Sequence, residues 1–177
     1  MTAEIRVETL LPPAGTYRIH PGKSAVTYTG RHMFGMGKVL ATFRINSGQF
    51  QVADPTIAST VTVSIDANSF TSGNAKRDKD VRSAALLNTA AYPAITFASS
   101  NLRWDRDHWL LSCAVTAHEV TVPVEVIIDR VTPEPHGIRV QAIAKHIDRY
   151  AFGVTGSKGM VGRHLDLNLD VYAAPDE

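Results

Sequence analysis

Strict alternation of apolar and polar residues is the feature that most constrains what this chain can fold into. It is cleanest in the stretch RHLDLNLDVY, where leucine or valine occupies every second position from Leu165 to Val171. Successive side chains of a β-strand point to opposite faces, so a period of two predicts a strand with one buried face. The stretch therefore indicates a sheet that is apolar on one side and polar on the other.

The same alternation recurs along the chain. The other segments are SAVTYTGRHMF, GKVLATFRI, TVTVSID, ITFASS, WLLSCAV, VTVPVEVIID and the less regular IRVQAIAKHIDR. Turn-forming clusters such as INSGQF, ADPT, WDRDH and TPEPHG separate them. About eight regularly spaced strands with short polar connections indicate an all-β antiparallel barrel or sandwich. A closed barrel leaves no exposed strand edge, which favours the barrel.

One segment, NAKRDKDVRSAALL, departs from this pattern and favours a helix. We predict one short helical insertion over about residues 75–88. Asn74 is suited to cap its first turn. Its apolar residues, Leu86 and Leu87 among them, would form the buried side and cover one mouth of the barrel.

Length and composition are typical of one globular domain. The chain has 177 residues, of which 44% are hydrophobic and 20% charged, so it is long enough to bury a core. We predict a loose lead-in over residues 1–13, a single domain over 14–173 and a tail over 174–177. The net charge of +1 is not the excess of positive charge that binding to a nucleic-acid backbone requires, so no nucleic-acid partner is expected.

The N-terminal residues do not show a basic stretch followed by an apolar one, as a signal peptide would. No apolar run approaches the ~20 residues that a membrane-spanning helix needs. We therefore expect a cytoplasmic protein without a membrane span, with export through a removed leader as the alternative. Cys113 is the single cysteine, so an intrachain disulfide is excluded.

Motifs for catalysis or metal binding are missing from the sequence. The seven histidines show no HxH or HExxH spacing, whereas transition-metal sites need three or four converging donors. There is no G-x-S-x-G motif, and Cys113 lies mid-strand on an apolar face, which is typical of a small core residue. The glycine-rich VTGSKGMVG (154–162) lacks the phosphate-loop pattern and is interpreted as a hairpin connection or bulge. We predict no catalytic residue, no metal and no cofactor.

Four segments in order resemble the YceI family, whose members have a lipocalin-like barrel. They are AGTYRIHPGKSAVTYTGRHMFGMGKVLATF, VTVSIDANSFTSGNAKRDKDVRSAALLNTAAYPAITFAS, VTAHEVTVPVEV and KHIDRYAFGV. The resemblance runs from about residue 14 to 172, and the chain departs from the family pattern at Asp80, Ala85, Leu86, Leu87, Cys113, Glu119 and Ala151. It implies that the barrel binds a long-chain polyisoprenoid, such as a prenyl quinone precursor or a prenyl pyrophosphate, or a similar amphiphilic lipid, without covalent chemistry.

The inward-facing residues of the predicted strands, with Leu86, are the expected lining of an apolar tunnel. They are Val26, Tyr28, His32, Phe43, Ile65, Leu86, Phe97, Val115, Val126, Ala142 and Leu167. Burial contributes roughly 0.8 kcal/mol per methylene-sized group, so affinity would come from the lipid tail and need few polar contacts. A period of two does not separate a lined tunnel from a packed core. His32 is either a core histidine whose hydrogen bonds are made within the protein or a residue that contacts the ligand.

Three arginines carry two interpretations each. Arg77 and Arg82 either pair with Asp78 and neighbouring residues and cap strand ends, or one or both reach a polar or anionic head group at the mouth, since a guanidinium fork suits phosphate. Arg149 is either an internal brace on a buried acid such as Asp66 or a third head-group contact.

Two other functions stay open. An isomerase or hydrolase of amphiphiles would need a titratable cluster inside the barrel, centred on His32 or His146. An interaction module with a packed core, forming a homodimer through a strand face, would hold no extractable lipid.

Overall fold

The structure is a computed structural model that describes residues 12–32 and 36–176, with the backbone alone for His32. The strands are β1 Gly15–Ile19, β2 Ala25–His32, β3 Gly37–Val52, β4 Thr60–Thr71, β5 Ala94–Asp105, β6 His108–Ala117, β7 Val120–Glu134, β8 Gly137–Asp148 and β9 His164–Pro175. The helix α1 spans Ala75–Arg82. Residues 1–11 of the predicted lead-in lie outside the described residues, and β9 extends into the predicted tail.

The strands form one antiparallel sheet that closes on itself. Its order is β3-β2-β9-β8-β7-β6-β5-β4, and β4 then pairs with β3. β1 pairs with the C-terminal parts of β3 and β9, whereas β2 pairs with earlier parts of the same two strands. The nine described strands therefore occupy eight positions of a ring, because β1 and β2 share one. The predicted lipocalin-like antiparallel barrel of about eight strands is confirmed.

Alternation selects the inward face as predicted. On β3 every second residue from Val39 to Ile45 is buried, and the residues between them are exposed. On β9 Leu167, Leu169 and Val171 are buried in the same way. These side chains belong to one apolar core that fills the interior of the barrel.

The segment INSGQF, predicted to be a turn, lies within β3. Register shifts in the β3–β4 pairing follow Thr42 and Ile45, so the strand is irregular here but continues. A Cβ at Gly48 would lie 2.5 Å from Cδ1 of Ile19 and 2.8 Å from the carbonyl oxygen of Thr62. The turn prediction was wrong because this glycine permits close approach of neighbouring strands and does not reverse the chain.

The helix is shorter than predicted. Asn74 caps it as expected, since its Oδ1 accepts from the Arg77 N–H at 3.0 Å. The helix ends at Arg82, and residues 83–92 continue mainly as turns that still bury Leu86. The predicted extension to residue 88 was wrong because Leu86 reaches the core from a turn. Within the described residues, no helix is long and apolar enough to cross a bilayer.

Candidate functional site

An apolar cavity of about 110 Å³ lies inside the barrel beneath α1. We call this end of the barrel the mouth; α1, residues 83–92 and the loop 154–162 cover it. Val81, Leu86 and Leu87 form part of the cavity wall from the covering side. The expectation that Leu86 and Leu87 cover apolar lining is therefore met, although they lie beyond the end of α1 and not within it.

Two smaller apolar cavities continue along the barrel. The second has a volume of about 60 Å³ and the third, at the end opposite the mouth, about 80 Å³. The first and second meet at consecutive inward positions of the same strands, such as Val115 and Cys113 on β6. Phe50, Val61 and Leu111 line both the second and the third. The interior is thus a column of voids separated by side chains.

The structure distributes the predicted lining residues between these voids. Tyr28, Phe43, Leu86, Val115 and Leu167 line the first cavity, whereas Phe97, Val126 and Ala142 line the second. Val26 and Ile65 are buried in the core but line neither cavity. The side chain of His32 lies outside the described residues.

Arg149 places a buried cation in the wall of the first cavity, with 5% of its surface exposed. Its Nε, Nη1 and Nη2 donate to the carbonyl oxygens of Gly162 (2.9 Å), Val154 (2.8 Å) and Val161 (2.9 Å). A guanidinium has five N–H donors, so these bonds leave two unused. Burial lowers the pKa of Arg149, but an arginine stays charged in proteins.

No carboxylate of the described residues lies within 4.0 Å of this guanidinium. The proposed brace through Asp66 was wrong, since Asp66 Oδ1 accepts from the Asn68 N–H at 3.0 Å instead. Arg149 is a brace, but its acceptors are backbone carbonyls of the glycine-rich loop. Every residue carries such a carbonyl, so no residue pattern could have indicated this arrangement.

Tyr28 lies where the first cavity meets an outer cleft of about 360 Å³, and it lines both. Gly30 makes room for its ring, because a Cβ there would lie 2.3 Å from the Tyr28 hydroxyl oxygen. Burial raises the pKa of Tyr28, and the positive charges of Arg149 and Arg77 partly oppose this. The hydroxyl makes no hydrogen bond to any described residue. It is therefore a neutral polar group beside the buried cation that none of the described residues engages.

The two arginines of α1 have different surroundings. Arg77 lines the outer cleft, with its Nη1 at 3.4 Å from Ser72 Oγ. Arg82 lines neither the first cavity nor this cleft. Its Nη2 donates to the carbonyl oxygen of Phe70, near the end of β4.

The interpretation that these arginines pair with Asp78 was wrong, whereas its other part, that they cap strand ends, agrees with the contact of Arg82 at the end of β4. The Asp78 carboxylate is buried and accepts from the backbone N–H of Ser72 at 3.0 Å and from its hydroxyl at 2.5 Å. Asp78 therefore ties α1 to the end of β4 without an arginine.

Titratable groups in the barrel do not form a catalytic cluster among the described residues. His146 is exposed and stacks on His164 with ring centroids 4.0 Å apart, so it does not occupy the interior as the enzyme alternative requires. Cys113 lines the second cavity, where burial raises the pKa of its thiol to about 11. No group of three or more His, Cys, Asp or Glu in the described part of the chain could hold a metal ion.

A family model for the YceI-like domain matches residues 17–173 of this barrel. The chain belongs to the YceI family. This confirms the resemblance drawn from the four sequence segments. Protein YceI of Escherichia coli O157:H7 is 35% identical over 100 residues, which cover 56% of this chain and 52% of that protein. The chain therefore aligns with about half the length of this curated relative.

Solved structures share the fold of this YceI family member. BcnA of Burkholderia cenocepacia superposes with a TM-score of 0.75 at 20% identity, covering 88% of this chain and 99% of BcnA. A polyisoprenoid binding domain from Saccharophagus degradans superposes with a TM-score of 0.61 at 15% identity, covering 93% of this chain and all of that domain (100%).

Proposed function

We propose that this protein reversibly binds one long-chain polyisoprenoid, such as a prenyl quinone precursor or a prenyl pyrophosphate, or a similar amphiphilic lipid, inside its barrel. The observation that carries the proposal is a column of apolar voids that begins at a buried cation with no carboxylate partner among the described residues. The polyisoprenoid binding domain of Saccharophagus degradans, which shares the fold, supports the choice of ligand class. The binding involves no covalent step.

In this proposal the lipid tail follows the column of voids away from the mouth. Apolar walls stabilise each methylene-sized group by roughly 0.8 kcal/mol, less the cost of ordering the tail. The first cavity, at about 110 Å³, is smaller than a void that takes up a single benzene ring. A tail of several isoprene units must therefore displace side chains between the voids, among them Phe97 and Cys113.

The polar end of the lipid is held at the mouth. The two unused N–H donors of Arg149 and the unengaged hydroxyl of Tyr28 suit a phosphate or a quinone oxygen, because charge-assisted hydrogen bonds are the stronger ones. Arg77 is a second cation within the adjoining outer cleft. We leave Arg82 out of this set, since its guanidinium is engaged with the backbone at the end of β4.

The small volume of the voids favours one other candidate function, an interaction module with a packed core that forms homodimers through a strand face. Such a module would neither copurify with a lipid nor take one up. The two candidates therefore differ in a single measurable property, which is uptake.

Native mass spectrometry of protein purified without detergent tests the proposal, followed by solvent extraction and identification of what is released. We expect a stoichiometric long-chain lipid or, from a host that lacks the ligand, an apo protein that takes up added prenyl lipids. An apo mass with no uptake of any added prenyl lipid would contradict the proposal and favour the packed module.

A further inference from the structure

Positive charge gathers around the mouth of the barrel. The outer cleft beside Tyr28 and a second cleft of about 520 Å³ meet at Arg31, which lines both. Four cations of these clefts, which we call the basic rim, are Arg31, Lys38, Lys76 and Arg77. Asp80 and Asp166 are the carboxylates that line the same clefts, so positive charge is in excess.

The rim cations form no ion pair within the described part of the chain. No described carboxylate lies within 4.0 Å of any of the four, whereas the nearby Arg163 pairs with Asp148 at 2.9 Å. Three arginines towards the opposite end of the barrel form ion pairs with carboxylates. Arg18 pairs with Asp176, Arg103 with Glu125, and Arg139 with Glu134 and Asp170.

Apolar side chains project from the same end. Met36, which directly precedes β3, is 89% exposed, and Met160 is 51% exposed in the loop that covers the mouth. Met160 and Arg31 line the same cleft. Cations beside exposed apolar side chains are the combination that binds the interface of an anionic bilayer, where charge attracts the protein and apolar groups enter the head-group region.

We propose that the basic rim docks the mouth of the barrel onto a membrane surface that contains anionic phospholipids. The mouth then faces the bilayer, and an apolar ligand can pass between bilayer and cavity without crossing water. The transfer of ligand rests on the proposed function, whereas the docking itself does not. A membrane explains both the charge and the methionines, whereas a nucleic acid would use the charge alone.

Vesicle flotation with cargo-free lipid tests the docking. The probes are phosphatidylcholine vesicles with and without phosphatidylglycerol, at low and high salt. We compare the wild type with Lys38→Glu/Lys76→Glu at the mouth and Arg106→Glu/Arg130→Glu at the opposite end. All four residues are exposed and lie in no described ion pair, and both double variants change the net charge equally.

We expect binding to the anionic vesicles alone, weakened by salt and reduced roughly 25-fold or more in the mouth variant. The opposite-end variant keeps most of its binding. A second pair of variants tests the apolar part: Met160→Ser weakens binding, and Ile57→Ser, which removes a residue 59% exposed at the opposite end, does not.

Three results would overturn the inference. They are no binding to anionic vesicles, equal weakening in the two double variants, and tighter salt-sensitive binding to duplex DNA than to the vesicles. Ligand uptake from cosolvent, measured without vesicles, separates the two proposals. Docking without uptake would contradict the proposed lipid binding and leave the docking proposal intact. Uptake without docking would contradict the docking proposal and leave the proposed lipid binding intact.

Discussion

Arg149 performs two tasks that are hard to separate by mutation. Its three hydrogen bonds to carbonyl oxygens hold the loop 154–162 over the mouth. Its charge faces the first cavity without a described carboxylate beside it. Removing the side chain would take the donors away from one buried and two part-buried carbonyl contacts, so lost binding could follow from a disordered loop. Tyr28 is the better single residue to mutate when testing ligand binding, because its hydroxyl makes no hydrogen bond to a described residue.

We predict that Tyr28→Phe lowers the affinity for a short prenyl phosphate about 10-fold or more, since a hydrogen bond from the hydroxyl to the charged head group contributes about 1.5 kcal/mol or more. The free energy of unfolding should change by less than ~0.5 kcal/mol, because no described partner is lost. Calorimetric titration and urea denaturation measure the two quantities.

Tyr17→Phe is the matched control for this variant. The Tyr17 hydroxyl donates to the carbonyl oxygen of Pro13 at 2.7 Å, away from the first cavity. The control should lose about 1 kcal/mol of stability and keep its affinity. Equal affinity of Tyr28→Phe and wild type would show that the hydroxyl does not contact the ligand.

At the scale of elements, the mouth depends on backbone segments that touch each other directly. A Cβ at Gly156 would lie 2.0 Å from the carbonyl oxygen of Ala85, so the glycine-rich loop and the segment 83–92 meet backbone to backbone. The loop therefore requires glycine at this position for packing.

We predict that Gly156→Ala lowers the free energy of unfolding by about 1–3 kcal/mol, because one of the two segments must move. Gly22→Ala is the control, since a Cβ at Gly22 meets no atom within 4 Å and its change should be small. Urea denaturation measures both variants. If Gly156→Ala were as stable as Gly22→Ala, the close contact between the two segments would be refuted.

Elements whose residues alternate strictly could be predicted from the sequence, and elements set by contacts could not. The inward positions of β3 and β9 follow from the period of two alone. β1 was missed because five residues carry too short a pattern. The prediction that Leu86 packs against the barrel is correct, but its assignment to the helix is wrong. A buried apolar residue has the same sequence pattern in the last turn of a helix as in the loop that follows it. The engagement of Arg149 depends on folded loop geometry, which no local pattern encodes.

At the scale of the whole molecule, the proposed function makes the length of the bound chain depend on the column of voids. Ala142 lines the second void and is one of the small side chains that leave it open. A larger side chain there would close the column beyond the first cavity. In the proposed function, chain-length selectivity is therefore set by the barrel interior and is separate from recognition of the head group at the mouth.

We predict that Ala142→Phe abolishes uptake of long polyprenyl chains and preserves uptake of short ones, at a cost of about 1–3 kcal/mol in stability. Ile143→Phe is the control, because the neighbouring position on β8 faces the other side of the sheet. Native mass spectrometry with a series of prenyl alcohols of increasing length measures uptake. Unchanged uptake of the longest chain by Ala142→Phe would exclude the second void as the path of the tail.

β1 and β2 share one position in the ring, so the two halves of the barrel close by different means. Towards the mouth, β2 bridges β3 and β9. At the opposite end the five residues of β1 make the same bridge through separate pairings. Without β1, β3 and β9 would face each other there across a gap one strand wide, while the ring around the first cavity would keep all of its hydrogen-bonded ladders.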